Sequence, residues 1–409
     1  MDFVRNPFSP AAGAQPPELA GREALLERAQ RVLTRVRNRR HDRSCLLVGL
    51  RGVGKTVLLN RIDQMSQANG FESVMLETPE DRRLAELLAL NLRRILLRLD
   101  RVEGAKDKLR NALSALRAFA ATFEVKIGDI GVGVKEAAGI ADSGALDSDI
   151  SDLLVAVGEA AVERGTAVAL LIDELQYVPE MELGAFLTGI HRVGQLNLPL
   201  VVFGAGLPQL IGLTGKAKSY AERLFEFQDV GALQEEDARA AVREPIQREG
   251  AAITADALSE LYRVTEGYPY FLQEWSSHAW NYATGAQISV GDVHAVHDET
   301  IAALDRGFFR VRFDRLTPGE KDYLRAMAEL GRGPHRSGDI AARLNRTVEQ
   351  VAPTRASVIT KGMAFAPAHG DTAFTVPMFD DFMRRVMPEF NPRPPRKRSK
   401  KDEADKISG

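Results

Sequence analysis

Cysteine is almost missing from this 409-residue chain: Cys45 stands alone, so no disulfide closes within it and no cysteine-based zinc site can form. A reducing cytoplasmic compartment fits that usage. Charge of one sign is not in excess either. The 54 Lys and Arg against 56 Asp and Glu leave a net charge of -2, so any nucleic-acid contact has to come from a local basic patch. No long hydrophobic run occurs. The strongest, Ala167 to Ile172, is far below the roughly 20 residues that a membrane helix needs. The Pro- and Ala-rich start, MDFVRNPFSPAAGAQPPELAGRE, has no apolar core of signal-peptide length, and no membrane partner is expected. The seven histidines show no ligand spacing; His294 and His297 lie three apart, but no other ligands converge on them.

What is present is an ordinary globular composition, 44% hydrophobic and 27% charged, in a chain long enough for two or three cores. Residues 1–16 have loop composition and are expected to be flexible. From Arg22 to Arg37 apolar residues recur at helical spacing. SCLLVGL then reads as a buried parallel strand, VLLNRIDQMSQANG as a helix and FESVMLE as a second strand. A helical stretch from Leu84 to Phe123 follows, and FEVKIGDIGVGVKE alternates like a β-hairpin over 123–134. Further on, strands TAVALLIDE and PLVVFGAG alternate with helices, which predicts an α/β fold: a parallel sheet covered on both faces. Strands are expected to stop after about Asp229, so 17–230 reads as one domain and the helical segment 231–312 as a second.

Gly49-Leu-Arg-Gly-Val-Gly54-Lys55-Thr56 fits the phosphate-loop pattern G-x-x-x-x-G-K-[ST], set between a strand and a helix as that motif requires. The glycines let backbone N–H groups curl around phosphate, and the helix start adds a favourable dipole. Gly49, Arg51, Gly52, Val53, Gly54, Lys55, Thr56 and Val57 are the expected nucleotide contacts, Lys55 reaching the β/γ-phosphates and Thr56 holding Mg²⁺. The strand ending Ile172-Asp173-Glu174 supplies the complementary acids. Asp173 is expected to hold the Mg²⁺ and Glu174 to polarise the attacking water. No Asn-Lys-x-Asp motif occurs, which favours ATP over GTP.

The ordered set ELAGRE, GLRGVGKT, LLIDE, VVFGAGLP, SYAERLF and GYPYFLQ resembles the AAA+ ATPases, in particular their archaeal-ATPase and origin-initiator-like branch. The resemblance covers about residues 17–300. It implies a P-loop domain with a helical lid, and it places Leu19, Ala20, Gly21 and Arg22 near the adenine; the alternative for Arg22 is a solvated helix-start residue. It makes Arg223 an arginine finger for a neighbouring subunit, hence a homo-oligomer, against a surface ion pair with Glu222 or Glu226. Tyr268 and Pro269 would set the lid against base and ribose. Two departures imply slow hydrolysis: no polar side chain ends the strand at 202–206, and GYPYFLQ holds no arginine. The aromatic cluster Tyr268, Tyr270, Phe271, Trp275 and Trp280 is either lid core or a stacking platform.

Residues 313–390 have the order helix, helix, helix, ribbon, helix, which reads as a winged helix-turn-helix. Its third helix begins at Thr347, with a Thr347-x-x-Gln350 capping box, or at Pro353. Thr354, Arg355, Ser357 and Lys361 are expected on or near an exposed face, able to meet bases or phosphates, with His369 and Gly370 at the wing tip. Double-stranded DNA is the expected partner of residues 347–362, and a protein partner is the alternative. The tail 391–409 is read as disordered; its basic run is either a solvated end or a non-specific phosphate contact. Together these point to a nucleotide-dependent switch on DNA, or to a signalling ATPase of the STAND type that binds protein.

Overall fold

The computed structural model of the chain describes residues 1–11, 16–79, 82–100, 107–126 and 140–393. The chain divides into two units, Met1–His297 and Asp298–Gly409. In the first, α1 (Glu23–Arg37) leads into β1 (Ser44–Val48), α2 (Lys55–Ala68), β2 (Phe71–Glu77), α3 (Leu84–Asp100), α4 (Asp107–Thr122) and α5 (Leu146–Glu163). There follow β3 (Ala167–Asp173), α6 (Glu180–Gln195), β4 (Leu200–Gly206), α7 (Gln209–Ala217), α8 (Ala221–Leu224) and β5 (Phe225–Asp229). The five strands make one parallel sheet in the order β2-β3-β4-β1-β5, the parallel sheet expected from the alternation of elements.

Strands β1, β3 and β4 are buried along their whole length, which is why they read as unbroken apolar runs rather than alternating ones. Strand β4 lies between β1 and β3, with Phe203 registered against both Cys45 and Leu171. The carboxyl ends of β1 and β3 therefore open on one edge of the sheet, where parallel α/β proteins place ligands. Strand β5 escapes the sequence reading. FEFQD is only partly buried at the sheet's edge and lacks the apolar run of the central strands. Helices α3 and α4 add an apolar layer with Leu92, Ile95, Leu109, Leu116 and Phe119 fully buried. Each such leucine contributes about 1.5–3 kcal/mol by leaving water.

The hairpin expected over 123–134 lies mostly outside the described residues. Its described part, 123–126, is the turn that ends α4, with Val125 N–H donating to Ala120 O at 2.7 Å and Glu124 at φ 56°. No strand forms there.

Beyond β5 the first unit continues through α9 (Glu235–Arg248), β6 (Ala252–Ile253), α10 (Ala255–Thr265), α11 (Pro269–Tyr282), β7 (Gln287–Ile288) and α12 (Val290–Ala295). The expectation that strands stop after Asp229 is corrected by the short parallel pair β6–β7, which ties the start of α10 to the start of α12. Tyr268, Phe271, Trp275 and Trp280 are buried, so the aromatic cluster is core here and not a stacking platform.

The second unit contains α13 (His297–Leu304, entered at the boundary residue), α14 (Arg310–Asp314), α15 (Pro318–Glu329), β8 (His335–Arg336) and α16 (Ser337–Arg343). It ends with α17 (Val348–Thr360), β9 (Ala364–Phe365), β10 (Asp371–Phe374) and α18 (Phe379–Val386). The ribbon expected around Gly370 is the antiparallel pair β9–β10, with Gly370 at φ 84°; β8 adds a third strand to it. Of the two starts weighed for the third helix, the Thr347 one is realised: Thr347 N–H donates to Gln350 Oε1 at 3.0 Å, and Pro353 lies inside α17.

Candidate functional site

Gly49 follows β1 directly and donates its N–H to Gly206 O at 3.2 Å. A Cβ there would meet Val230 O at 2.0 Å, so only glycine fits where the loop leaves the sheet. Gly52 and Gly54 take φ 83° and 92°, and α2 begins at Lys55 with the first N–H groups of its opening turn lacking partners within the helix. Lys55 is buried and donates from Nζ to Gly49 O at 2.9 Å and Leu50 O at 2.8 Å. Burial pulls its pKa down to about 8, against the Glu174 and Asp173 carboxylates, which favour the charged form. Within the loop, Arg51 Nε is buried with no hydrogen-bond partner among the described residues, and its guanidinium donates to the Tyr177 hydroxyl.

Thr56, at the start of α2, meets Asp173, at the end of β3. The Thr56 hydroxyl donates to Asp173 Oδ2 at 2.5 Å, and Asp173 Oδ1 accepts from Glu174 N–H at 2.8 Å. Burial, helped by the Glu174 charge, raises the Asp173 carboxyl above its ordinary range, and the Thr56 hydrogen bond works against this. A half-buried hydroxyl paired with a buried carboxylate, beside a cationic glycine loop with an orphaned guanidinium nitrogen, is a donor set that fits a phosphate chain and a hard divalent cation. Thr56 and Asp173 would hold the cation, and the loop amides with Lys55 and Arg51 the phosphates.

Glu174 stands in the left-handed region at φ 56°, a conformation costly for a non-glycine residue. Two side chains that the sequence reading missed hold it. Thr78, just past β2, donates its hydroxyl to Glu174 O at 2.7 Å and to Asp173 O at 3.0 Å. Gln176 donates its amide to Glu174 Oε2, while its Oε1 accepts from Leu207 N–H at 3.0 Å. This explains the bare end of β4. A Cβ on Gly206 would lie 2.8 Å from Gln176 Oε1, and one on Gly204 would lie 2.4 Å from both Leu175 Cδ1 and Leu46 Cδ2. The polar group absent from β4 is supplied by the turn after β3.

Arg22 is not a solvated helix-start residue. It is 9% exposed, and its guanidinium donates to Gly231 O at 2.5 Å and Val53 O at 3.4 Å, joining the phosphate loop to the segment that enters the lid. Burial pulls its pKa below the ordinary arginine value, against Asp237 and Glu23. Gly21, at φ 69°, leaves room for the Asp237 carboxyl that a Cβ would strike at 2.5 Å. The lid touches the loop directly. Tyr270 N–H donates to Gly52 O at 3.2 Å, and a Cβ on Gly52 would be 3.0 Å from Tyr268 Cε1. Pro269 opens α11 between them.

Arg223 is exposed on α8 and makes no ion pair among the described residues; Glu226 instead bonds Arg28 at 2.8 Å and Arg43 at 3.6 Å. It precedes β5, whose Phe225 registers with Ser44 at the start of β1, so it stands at the edge of the sheet away from its own phosphate loop.

Three of the four residues expected to face DNA, Arg355, Ser357 and Lys361, are occupied within their own unit. Ser357 Oγ donates to Glu320 Oε1 at 2.6 Å, and Lys361 Nζ to Glu320 Oε2 at 2.7 Å. Arg355 bonds Thr372 Oγ1 at 2.8 Å and Asp371 O at 2.7 Å. The most exposed positions of α17 are instead Val348, Glu349, Gln350, Ala352, Pro353, Ala356 and Thr360, with no cation among them. That corrects the expectation of a free polar face at 354–361.

Residues 18–203 match the AAA ATPase domain family, and residues 306–383 match a family described as a domain of unknown function. Among solved structures, the Walker-type ATPase of Pyrococcus abyssi is similar at 15% identity and a TM-score of 0.56, over 88% of this chain and 95% of that one. The Orc1 protein of Aeropyrum pernix in complex with DNA aligns at 14% identity and a TM-score of 0.46, over 93% and 96% of the two chains. The Holliday junction branch migration motor RuvB of Thermotoga maritima aligns at 14% and 0.44, over 94% and 100%. The first shares the fold; the other two superpose too loosely to bear on this chain. No curated protein matches it.

Proposed function

With residues 18–203 an AAA ATPase domain, we propose that the chain is a slowly hydrolysing ATP-dependent switch, its lid read out by the state of the phosphate loop. The observation that carries this is the hydrogen bond from Tyr270 N–H to Gly52 O. The loop that cradles phosphate is the same backbone that anchors α11. Bound ATP with Mg²⁺ would supply the γ-phosphoryl group and a concentrated charge at the loop. Lys55, exchanging Gly49 O and Leu50 O for phosphate oxygens, would hold the phosphates, and Thr56 and Asp173 would hold the cation. Glu174 takes the proton of the attacking water, and Gln176 fixes which way that carboxylate points. Gly21, Arg22, Tyr268 and Pro269 border the base side. Arg223, remote from its own loop, acts only on a neighbouring subunit.

Amide exchange at Tyr270 tests the switch. In Glu174→Gln, ATP is expected to change that exchange rate at least tenfold over the nucleotide-free protein; an unchanged rate ends the proposal. Turnover measured with particle mass tests the finger. Arg223→Ala loses turnover only where the wild type is an oligomer, and a monomeric wild type with full turnover removes that role.

The partner of the C-terminal unit has two readings. The element order of 313–390, with its ribbon at Gly370, supports a winged helix on DNA. The bonding of Arg355, Ser357 and Lys361 inside the unit favours the STAND-like reading, in which the exposed Val348, Ala352, Pro353 and Ala356 meet a protein.

A further inference from the structure

We infer that the ATPase unit carries a nucleic-acid phosphate-binding surface of its own, at the end of α1 and on the opposite edge of the sheet from the phosphate loop. Arg31, Arg35, Arg37, Arg39, Arg40 and Arg43 lie on the last two turns of α1 and the short connection to β1, and all six are exposed. The backbone gathers them. Arg40 N–H donates to Arg35 O at 2.9 Å, Arg39 N–H to Val36 O at 2.9 Å, and Arg39 takes φ 55°, which folds the connection back over the helix end.

Among the described residues, four of these six charges are unpaired and the other two only partly neutralised. Arg31, Arg37, Arg39 and Arg40 have no ion-pair partner among the described residues. Arg35 and Arg43 share two carboxylates, Asp42 and Glu226, with the more buried Arg28, and their own side chains stay 50% and 52% exposed. Glu23 and Glu27 are the exposed acidic residues of α1, both in its first half. Arg192, exposed in the last turn of α6, extends the surface; Gly194 of that helix lies against the His41 ring, where a Cβ would be 2.6 Å from Cε1. The chain as a whole is at -2, so this is a local concentration of positive charge.

The chemistry selects the partner. Every cation here is arginine, whose planar fork pairs with phosphate oxygens through two hydrogen bonds. Between them His41 is exposed and able to bond phosphate, sugar or base edges, whereas Thr34 and Asn38 donate to Gln30 O and Thr34 O of their own helix, each at 2.9 Å. Val32, Leu33 and Val36 are buried, and no apolar side chain of 31–43 is exposed to enter lipid, as a membrane-surface helix requires. A nucleic-acid backbone fits; an anionic bilayer does not. The surface is separated from the phosphate loop by the length of β1, about 16 Å at roughly 3.3 Å per residue. It needs neither α17 nor a nucleotide.

The test uses the full chain with Arg37→Ala, Arg39→Ala and Arg40→Ala combined, and a fluorescent 30-mer DNA, single-stranded and duplex, titrated at several salt concentrations. The wild type should bind both forms. The triple variant should bind at least tenfold more weakly, with the slope of log K against log salt on duplex flatter by about 2.7, or 0.9 per lost phosphate contact. The loss should persist when Arg396, Lys397, Arg398 and Lys400 of the tail are exchanged for serine, which separates this surface from the tail. Unchanged urea unfolding and ATP binding show that the variant is folded. Absence of wild-type binding, an unchanged slope, or binding only to phosphatidylserine vesicles would overturn the inference.

Discussion

The phosphate loop and helix α17 make an instructive pair. Both carry residues that sequence reading assigns to phosphates, and only one leaves them available. In the loop, Lys55 is bonded to carbonyls of its own turn, which it can exchange for stronger charged acceptors, and Arg51 Nε has no hydrogen-bond partner among the described residues. On α17, Lys361 and Ser357 converge on Glu320, a buried carboxylate that would be left uncompensated if they turned outward. A polar residue's type says what it can bind. Its neighbours decide whether it is free to do so.

The widest separation between the two regions should come from the loop. Lys55→Ala is expected to weaken ATP binding at least a hundredfold, read by calorimetry, whereas Glu174→Gln keeps binding and lowers turnover by about 10²–10³. Comparable losses from both in binding would break the division into phosphate holder and base.

The next effect belongs to Glu320. Burial works to raise its pKa, but hydrogen bonds from Lys361, Ser357 and Thr317 outweigh it and hold the carboxyl at about 2, below the ordinary 4.5. Its folded pKa being the lower one, the stabilisation is complete above pH 4.5 and is lost as pH falls towards 2. It amounts to about 3 kcal/mol. Urea unfolding of the wild type against Glu320→Gln should show that gap at pH 7 and close it near pH 2. A constant gap would mean that these bonds do not anchor α17.

A smaller change is expected from Gln176→Ala: turnover about tenfold lower, with ATP affinity within twofold of wild type. Equal losses in both would show that Gln176 shapes the site as a whole rather than aiming Glu174. The smallest effect is predicted for Arg355→Ala with Lys361→Ala. Duplex DNA affinity should change by less than about twofold, and a tenfold loss would restore α17 to the DNA reading.

Legibility followed the same line. The loop from Gly49 to Thr56 and the acids Asp173 and Glu174 could be read because each group is continuous in sequence and the loop glycines answer local backbone demands, such as φ 83° at Gly52 and 92° at Gly54. The central strands could be read because burial on both faces leaves an unbroken apolar run. Strand β5 and the pair β6–β7 could not, since edge position and a length of two residues leave no periodicity. Thr78 and Gln176 were invisible for another reason: nothing local marks a threonine or glutamine as the side chain that pins a left-handed glutamate.

The chain's own order of residues therefore determined a parallel-sheet ATPase domain with its phosphate loop and acidic pair, because those features are set by contacts within a few residues. Only the tertiary structure decided that Arg22 clamps the loop to the lid entry, that Gln176 fills the place left bare at Gly206, and that Lys361 is bound inward to Glu320. Those outcomes depend on which groups meet across large separations in sequence, and on whether each polar atom finds its partner inside the fold or outside it.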